Sequence, residues 1–507
     1  MKVEVLNTGV FVYGSTPAGI AAAVEASRRG CKVLLACPKT HLGGMPASGL
    51  CTTDAVRRNL FRGFVIEFIS KVRLHYLKTL GKNHPDYKLT HDGWFYEPSV
   101  AEKIFKEFIE QEENLTWLPG FYLKKVTVED RMIKEVVIHS EKGEEKIIKA
   151  TVWVDATYEG DLAAYAGVPY RVGREGREEY GESLAGIIFW DWKNGKEIKT
   201  SISGEPSMAI QAYCARCIVT YDEKHRVPIE KPETYEQHLP DYLPLIDDFR
   251  TGRVKKLSQI LPMCPLPNKK MEINGHIEAL TSINCPGISW EYPEASYEVR
   301  RELDRFHTDH ALGLMYFLQN DPHVPEDIRN EARIYGLHDE EFSDNGYMPW
   351  QIYVRQGRRI MGREIVTQHN FTVDPKIGRT PVVKHPVAIG EHSFDVHPCH
   401  DRRWLVDGFM EGVLWFPRKA SGPAQPGQIP YEAMLPVNID NLIVPVAISA
   451  THVAMSVIRM EPVWMTLGQV AGLASYISVE QKVPICDIDP SPLPEILGII
   501  VDPYEVP

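Results

Sequence analysis

The sequence predicts an α/β fold in which a sheet with parallel strands forms the centre of the molecule and a second, α+β region is inserted into the chain. Three observations predict this fold. A strand, a glycine-containing turn, a helix and a second strand follow one another within residues 10–36. Three segments with alternating apolar residues lie between residues 122 and 154, and strand-like segments return after residue 385. The two ends of the chain therefore resemble each other more than either resembles the middle.

The first unit begins with a short apolar strand at Val10–Tyr13, which ends at Gly14. Small and apolar residues at helical spacing predict a helix over Ala18–Arg29, and Gly30 is a typical residue just after a helix. Lys32–Ala36 is apolar enough to be a second buried strand. A strand, a helix and a strand within about 30 residues form a βαβ unit, which makes the two strands parallel.

The next elements are a helix and a series of strands. An amphipathic helix is predicted over Glu97–Glu113, because Pro98 suits its first turn and apolar residues recur at helical spacing. Charged turns separate the strands that follow. We interpret these strands as an antiparallel β-meander made of Tyr122–Val128, Ile133–Ser140 and Lys146–Val154.

The periodicity and the composition of the sequence change in the middle of the chain. Periodicity weakens over residues 173–384, where proline and aromatic residues cluster and one long helix is predicted at Pro293–Gln319. Strands and a glycine-containing helix return from residue 386. We therefore predict a first domain that is split between residues 1–172 and 385–507, with an inserted domain at 173–384.

Composition and charge narrow the class of protein. The chain has 507 residues, of which 44% are apolar and 24% charged, as in ordinary globular proteins. Lys and Arg number 56 and Asp and Glu number 68, so the net charge is 56 − 68 = −12. This charge predicts that the protein does not bind nucleic acid, because nucleic-acid binders carry basic surfaces.

Cysteine usage and the apolar segments indicate where the protein works. Cys214 and Cys217 form the only CxxC pair and no second pair stands at zinc-site spacing, so we expect no metal. Glu4 interrupts any N-terminal apolar run, and no window approaches 18 apolar residues in a row. We expect a cytoplasmic protein that does not cross a membrane.

The turn between the first strand and the first helix is a candidate phosphate site. Residues 14–19 read GSTPAG, where a dinucleotide fingerprint has the pattern GxGxxG. Thr16 replaces the middle glycine, and its hydroxyl could donate to a phosphate. The acidic residue expected after the second strand, which would bind a ribose, is replaced by Cys37, followed by Pro38 and Lys39. The turn alone leaves open a simple packing role.

A second glycine-containing segment directly follows the second strand. Residues 41–45 read HLGGM, and a glycine pair allows the backbone to lie flat against a bulky group. This feature favours a flavin over a nicotinamide cofactor. A second dinucleotide fingerprint is absent from the sequence, so a built-in NAD(P)H domain is not expected.

With these motifs, the sequence resembles FAD-dependent oxidoreductases of the glutathione-reductase-like superfamily. The most similar group is a bacterial one, related to fumarate-reductase flavoproteins and often labelled xanthan lyases. Five segments in order carry the resemblance: Val12–Glu25, His41–Asp54, Asp155–Glu182, Tyr353–Gly362 and Asn441–Gly472. The resemblance implies a Rossmann-like FAD-binding domain, with parallel sheet and β-meander, that is split by a substrate domain.

The resemblance also implies which residues hold the cofactor. On the nucleotide side, the pyrophosphate would lie against Gly14, Ser15, Thr16, Pro17, Ala18 and Gly19, the adenosine ribose would lie beside Cys37, Pro38 and Lys39, the adenine would contact the backbone of Val126, and Ala156 and Thr157 would make the second nucleotide contact. The ribityl chain and the isoalloxazine would lie near His41, Gly43, Gly44 and Met45. The pyrimidine edge of the flavin would lie near Val446, Arg459, Met460, Glu461, Pro462 and Val463. Whether FAD is linked covalently, or is partly lost because of Thr16 and Cys37, stays open.

Elementary physics supports the last of these placements. Pro462 suits the first turn of a helix predicted over Val463–Tyr476. The partial positive charge of that helix end would stabilise the anionic edge of a reduced flavin. Plain helix capping is the alternative interpretation of Glu461 and Pro462.

Four residues are candidates for substrate chemistry. His452 precedes the predicted flavin-facing helix, although a capping or core role is equally compatible with its position. His397 follows Asp395 by two residues, so both would share one face of a strand as an acid–base pair. Arg355 and Arg358 would lie on nearby helical positions and clamp a carboxylate, or else form a solvated helix face.

The sequence thus predicts an FAD-dependent oxidoreductase that transfers a hydride between FAD and a small polar substrate, sugar-like, a hydroxy acid or similar. A separate electron acceptor or donor would complete the cycle, and a homo-oligomer is compatible with the sequence. The alternative is a polysaccharide lyase-type enzyme with a structural FAD, using residues such as Tyr431, His452 and Arg358. A tRNA-modifying flavoprotein is disfavoured by the net charge of −12.

Overall fold

The computed structural model describes residues 3–416 and 422–506. The first third of the chain is built from long strands and helices. Its elements are β1 (Glu4–Tyr13), α1 (Pro17–Arg28), β2 (Val33–Cys37), α2 (Phe64–Thr79), α3 (Pro85–Leu89), α4 (Pro98–Glu110), β3 (Leu115–Pro119), β4 (Phe121–Glu129), β5 (Met132–Ser140), β6 (Glu145–Asp155), α5 (Asp161–Tyr165) and β7 (Tyr170–Arg171).

The middle of the chain contains short strands and one long helix. Its elements are α6 (Arg177–Tyr180), β8 (Trp190–Asp191), β9 (Lys196–Glu197), β10 (Ile218–Thr220), β11 (Arg226–Val227), α7 (Tyr235–Tyr242), α8 (Pro244–Arg250), β12 (Met263–Pro265), β13 (Lys270–Ile273), α9 (Tyr297–Asn320), α10 (Glu326–Ala332), β14 (Gly336–His338) and β15 (Arg359–Ile360). Strands β10 to β14 form a five-stranded sheet in the order β11-β14-β10-β13-β12, and all its pairs are antiparallel.

The last part of the chain returns to the first sheet. Its elements are β16 (Pro386–Gly390), β17 (Leu405–Val406), β18 (Phe409–Met410), β19 (Gly427–Pro430), β20 (Leu442–Ile443), α11 (His452–Ile458), α12 (Glu461–Gln481) and α13 (Leu493–Leu497). β20 pairs with β6 in parallel. The domain boundaries at 172 and 384 stay a prediction.

The central sheet has seven strands and combines parallel and antiparallel pairing. Six strands follow the order β3-β2-β1-β6-β5-β4, and β20 joins at β6. The pairs β3–β2, β2–β1 and β1–β6 are parallel, whereas β6–β5 and β5–β4 are antiparallel. The last strand of the predicted meander is therefore also a central strand of the parallel sheet. The predicted Rossmann-like α/β fold is confirmed.

The carboxyl-terminal halves of β1 and β6 and all of β2 are buried on both faces of the sheet. Val10 and Val12 pack into a core with α1 and α12, while Phe11 and Tyr13 pack into a second core beside the meander. Helix α12 lies directly on α1. A Cβ atom added at Gly468 would overlap the backbone oxygen of Ala18, so this glycine permits the close approach of the two helices.

Two sequence expectations about helices differ from the structure. Residues 353–358 are not helical, and Arg359 and Ile360, which follow them, form the short strand β15. The prediction that Arg355 and Arg358 share a helix face was therefore wrong. Helix α2 was not predicted, although it buries Phe64, Phe68 and Val72.

Within the described residues, no helix is both long enough and apolar enough to span a membrane.

Candidate functional site

A cavity of about 150 Å³ lies at the carboxyl ends of β1, β2 and β6. In open α/β sheets, ligands bind at this edge. We call it the strand-end cavity. Its lining residues come from the segments that follow β1, β2 and β6, from the start of β4 and from residues 292–351: Gly14, Ser15, Thr16, Cys37, Pro38, Lys39, Gly44, Tyr122, Thr157, Tyr158, Glu159, Asp161, Tyr292, Tyr297, Arg300, Arg301, Asp304, Trp350 and Gln351.

The turn after β1 has the shape of a phosphate cradle. Gly14 has a φ of 110°, and a Cβ atom added there would lie 2.6 Å from the carbonyl carbon of Ala156. A side chain at Gly19 would overlap the backbone of Gly14. These two glycines therefore serve the tight turn and the close packing that a dinucleotide fingerprint needs. The N-terminus of α1 opens beside the cavity, where it favours an anionic group.

The hydroxyl of Thr16 already has two hydrogen-bond partners within the chain. Its side chain accepts a hydrogen bond from the amide of Gly19 at 3.2 Å and donates one to the backbone oxygen of Ala156 at 2.7 Å. The hydroxyl thus caps α1 and ties the turn to the end of β6. Since both of these bonds are internal, the backbone of the turn is left as the group that faces a phosphate.

The end of β2 carries a thiol and an amine. Burial raises the pKa of the Cys37 thiol, which is 6% exposed. The Lys39 ammonium donates to Asp304 at 2.9 Å and to the backbone oxygen of Trp350 at 3.1 Å. The nearby carboxyl of Glu159 also lines the cavity, and burial raises its pKa to about 7.

A buried carboxylate holds two arginines beside the cavity. Asp161 accepts hydrogen bonds from Arg300 at 2.7 and 2.9 Å and from Arg358 at 2.8 Å. Burial alone would raise the pKa of Asp161, but the two guanidinium groups hold it below its usual value. One carboxylate shared by two cations leaves positive charge next to the phosphate cradle. Arg358 therefore belongs to this group and not to a clamp with Arg355.

Aromatic side chains form the outer wall of the cavity. The rings of Tyr122 and Tyr297 meet edge to face, with centroids 5.0 Å apart. Val126 stands on the same strand as Tyr122 but does not line the cavity. Tyr292, Tyr297 and Trp350 come from the middle of the chain, and nothing in their local sequence indicated this position.

His41 stands behind the wall of the strand-end cavity. Its Nδ1 lies 3.1 Å from Glu102 and its Nε2 lies 3.0 Å from Asp344, while its ring stacks on Trp350. The hydrogen bond to Glu102 raises the pKa of His41, although burial opposes the shift. Because both ring nitrogens lie close to carboxylates, His41 ties the segment that follows β2 to Glu102 and Asp344.

The glycine pair and the start of α12 meet at Tyr158. A side chain at Gly44 would overlap the Tyr158 hydroxyl. The amide of Met45 donates to that hydroxyl at 3.0 Å, and the hydroxyl donates to Glu461 Oε1 at 2.7 Å. Predicted cofactor residues from both halves of the chain are therefore in one hydrogen-bonded chain, and the other predicted residues of the second half are also buried: Val446, Arg459, Met460, Pro462 and Val463.

Glu461 should make stability depend on pH. Burial raises the pKa of Glu461 to about 8, so the folded protein keeps this carboxyl protonated at pH values where the unfolded chain ionises it. Stability from this group is complete below about pH 4.5 and is lost as the pH rises to about 8. We expect the wild type to lose about 1.4 kcal/mol per pH unit in that window relative to Glu461→Gln.

Chemical denaturation of both proteins at several pH values measures this difference. The comparison cancels the contributions of Glu159 and all other carboxyl groups. Parallel stability curves for the two proteins would show that Glu461 is ionised in the folded state.

A second polar group lies behind Tyr158, in the interior. We call it the Arg355 cluster, and it comprises Gln211, Tyr353, Arg355, Gln356, His397, His452 and Arg459. Arg459 donates to the Tyr353 hydroxyl at 2.7 Å and to Asp395 at 2.9 Å. His452 Nδ1 lies 2.7 Å from Gln356 Oε1, and Gln211 also contacts that oxygen at 3.4 Å.

Arg355 is fully buried and its charge is not balanced. Its guanidinium donates to the backbone oxygen of Ala212 and, at 3.3 Å, to Cys214 Sγ. It also lies over the ring of Tyr353, 4.7 Å from the centroid. No carboxylate of the described chain forms an ion pair with it, and burial lowers its pKa. A buried cation of this kind is costly unless an anion joins it.

The two candidate histidines of the Arg355 cluster are neutral. Burial lowers the pKa of His397 well below its usual range, and Arg355 lowers it further. Burial and Arg174 do the same to the pKa of His452. Nδ1 of His397 has no hydrogen-bond partner in the part of the chain that the structure describes, and Nε2 lies 3.9 Å from Asp395. The predicted Asp395–His397 pair is therefore close but not hydrogen-bonded.

Tyr431, His452 and Arg358, the residues of the lyase alternative, do not contact one another in the hydrogen bonds that the structure describes. Tyr431 is 1% exposed, and its hydroxyl donates to the backbone oxygen of Ile485. Arg358 is bound to Asp161, and His452 to Gln356. Each of the three thus has its own internal partners.

Together, the mixed sheet, the phosphate cradle and the positive charge at the strand ends are those of a dinucleotide-binding protein. The residues present fit FAD, because Gly14 and Gly19 allow the tight turn that a dinucleotide needs and because the donors around the cavity are amides and cations. The family model described as FAD dependent oxidoreductase matches residues 9–497. The chain belongs to this family, and it is an FAD-dependent oxidoreductase with FAD as its cofactor.

Solved structures show more distant similarity. The p-nitrophenol 4-monooxygenase PnpA from Pseudomonas putida DLL-E4 is 12% identical, with 71% of this chain and 70% of that chain covered and a TM-score of 0.31. The L-proline dehydrogenase from P. horikoshii is 18% identical, with 35% and 26% covered and a TM-score of 0.20. The myxobacterial chondrochloren halogenase CndH is 15% identical, with 44% and 45% covered and a TM-score of 0.24.

These similarities are partial. The alignment spans about a quarter of the length of the L-proline dehydrogenase. No curated protein matches the sequence. Because all three TM-scores lie below 0.5, the family assignment depends on the family model alone.

Proposed function

We propose that this enzyme transfers a hydride between FAD and a small polar substrate that carries a carboxylate, of the hydroxy-acid class. An electron acceptor or donor outside the chain completes the cycle. FAD supplies the two-electron chemistry when it is bound, and the protein supplies orientation, charge and a proton site.

The observation that carries this proposal is the unbalanced charge of Arg355. The other buried arginines of the region have carboxylate partners: Arg216 pairs with Glu272, and Arg459 pairs with Asp395. Arg355 has donors directed at a carbonyl oxygen and a sulfur only. A guanidinium recognises a carboxylate with two parallel hydrogen bonds. A substrate carboxylate would therefore supply the charge that the chain itself does not.

The proton of the substrate hydroxyl needs a neutral acceptor. His397 meets this requirement, since its imidazole is neutral and its Nδ1 is not used by the described residues. His452 is less suitable, because its Nδ1 is bound to Gln356. We assign His397 as the residue that accepts the proton, and His452 as a positioning residue that orients Gln356.

Anaerobic reduction of the bound flavin tests the proposal. Lactate and glycolate should bleach the flavin absorbance, whereas lactamide and glycolamide, which lack the negative charge, should bleach it far more slowly. Equal rates for acid and amide would contradict the role of Arg355. Cleavage of a polysaccharide without any bleaching would support the lyase alternative instead.

A further inference from the structure

A group of three metal-ligand side chains lies in the inserted region, away from the strand-end cavity. His238 and Asp241 stand one turn apart on α7, and His310 stands on α9. One donor atom from each of the three lies within 4.8 Å of the other two. We call this group the His238 triad.

The hydrogen bonds of the His238 triad leave its metal-binding atoms available. Nε2 of His310 lies 2.9 Å from the backbone oxygen of Ser282, so this nitrogen carries the hydrogen and Nδ1 carries the lone pair. Within the described residues, neither this Nδ1 nor the Nδ1 of His238 has a hydrogen-bond partner. The two histidines are 3% and 2% exposed. A metal-binding histidine typically donates its second N–H to such a carbonyl.

A cavity of about 430 Å³ opens beside the His238 triad. His310 and Asp241 line it, together with Thr281, Asn284 and Arg402. Asn284 is 6% exposed, and neither atom of its amide has a hydrogen-bond partner in the described chain. The cavity thus gives an ion access from solvent and leaves room for an oxygen ligand next to it.

We propose that His238, Asp241 and His310 bind one divalent transition-metal ion, with a coordination position open to this cavity. Two imidazole nitrogens and one carboxylate favour zinc or ferrous iron over calcium or magnesium, which prefer oxygen ligands. Three protein ligands with a free position are typical of a metal that also binds water or a small molecule.

A second group of similar composition provides a control. His225, His338 and Asp339 also lie close together. There, however, Nδ1 of His338 accepts from the amide of Glu340 and Nδ1 of His225 is bound to Asp339. These nitrogens are already in use, so this group should not compete for the ion.

The test is a titration of the chelator-treated holoenzyme with zinc chloride, followed by calorimetry. Wild type should bind one equivalent, and both Asp241→Asn and His310→Gln should weaken the affinity at least about 100-fold. His225→Gln should bind zinc as the wild type does. Asp241 is exposed, so its variant should fold even if His310→Gln does not.

Three results would overturn the proposal. The first is a wild type that shows no saturable zinc binding. The second is an Asp241→Asn variant that folds and binds zinc with wild-type affinity. The third is a loss in His225→Gln as large as that in Asp241→Asn.

Discussion

Replacing Arg355 with methionine should lower kcat/KM on the order of 10³-fold while FAD stays bound. Arg355 is the buried cation that would hold the substrate carboxylate, and truncating one partner of such a pair costs about 2–5 kcal/mol. The strand-end cavity, which would hold the nucleotide, does not include Arg355. Steady-state kinetics and the flavin absorbance of the purified variant measure the two effects separately.

The unfolding free energy of the Arg355→Met variant distinguishes substrate binding by Arg355 from a purely structural role. Arg174 is the matched control, because it is equally buried but bound to Glu411 through two hydrogen bonds of 2.7 and 3.0 Å. Arg174→Met takes the guanidinium away from the buried Glu411, which keeps only His400 and the amide of Ile188 as partners, and should cost about 3–5 kcal/mol of unfolding free energy. Arg355→Met removes an unbalanced buried charge and should leave stability unchanged or raise it. A large loss of stability in Arg355→Met would make Arg355 a structural residue.

Replacing Gly468 with alanine should destabilise the enzyme by about 3 kcal/mol or more and weaken FAD binding. The added Cβ would overlap the backbone oxygen of Ala18, which cannot rotate away as a side chain could. Helix α1 would have to move, and with it the turn at residues 14–19 that forms the phosphate cradle. Thermal unfolding and the fraction of bound flavin after purification are the measurements.

Gly9→Ala is the control for this substitution. The nearest atom to a Cβ at Gly9 is the backbone oxygen of Lys32 at 3.4 Å, an ordinary contact. This variant should keep the stability of the wild type to within about 1 kcal/mol. If Gly468→Ala matched it in stability and flavin content, α12 would not be set against α1 as closely as the structure has it.

Local sequence patterns predicted the three strands of the meander well, whereas β3 was not predicted and β1 begins six residues before the predicted strand. The alternation over residues 122–154 gave three strands that match β4, β5 and β6 to within one residue at each end. The alternating pattern predicts these strands because each strand buries the side chains of one face and leaves most of those on the other face partly exposed. The glycine turn after β1 was equally readable, because only glycine fits a φ of 110° so close to another backbone.

The same patterns failed where contacts come from distant parts of the chain. Spacing placed Arg355 and Arg358 on one helix face, but the segment is not helical. Without a helix the two side chains do not share a face: Arg358 binds Asp161, whereas Arg355 donates to the backbone oxygen of Ala212. Thr16 also has a partner, Ala156, that lies far along the sequence.

The sequence by itself determined the Rossmann-like fold, the position of the phosphate turn and the family, because each is carried by short segments with local patterns that do not depend on how the chain folds. Only the tertiary structure decided which charges are balanced. Arg300, Tyr297 and Trp350 reach the strand-end cavity from a distant part of the sequence. Among the buried arginines of its region, Arg355 alone meets no carboxylate of the described chain. Charge balance in an interior depends on distances between side chains, and those distances exist only after the chain has folded.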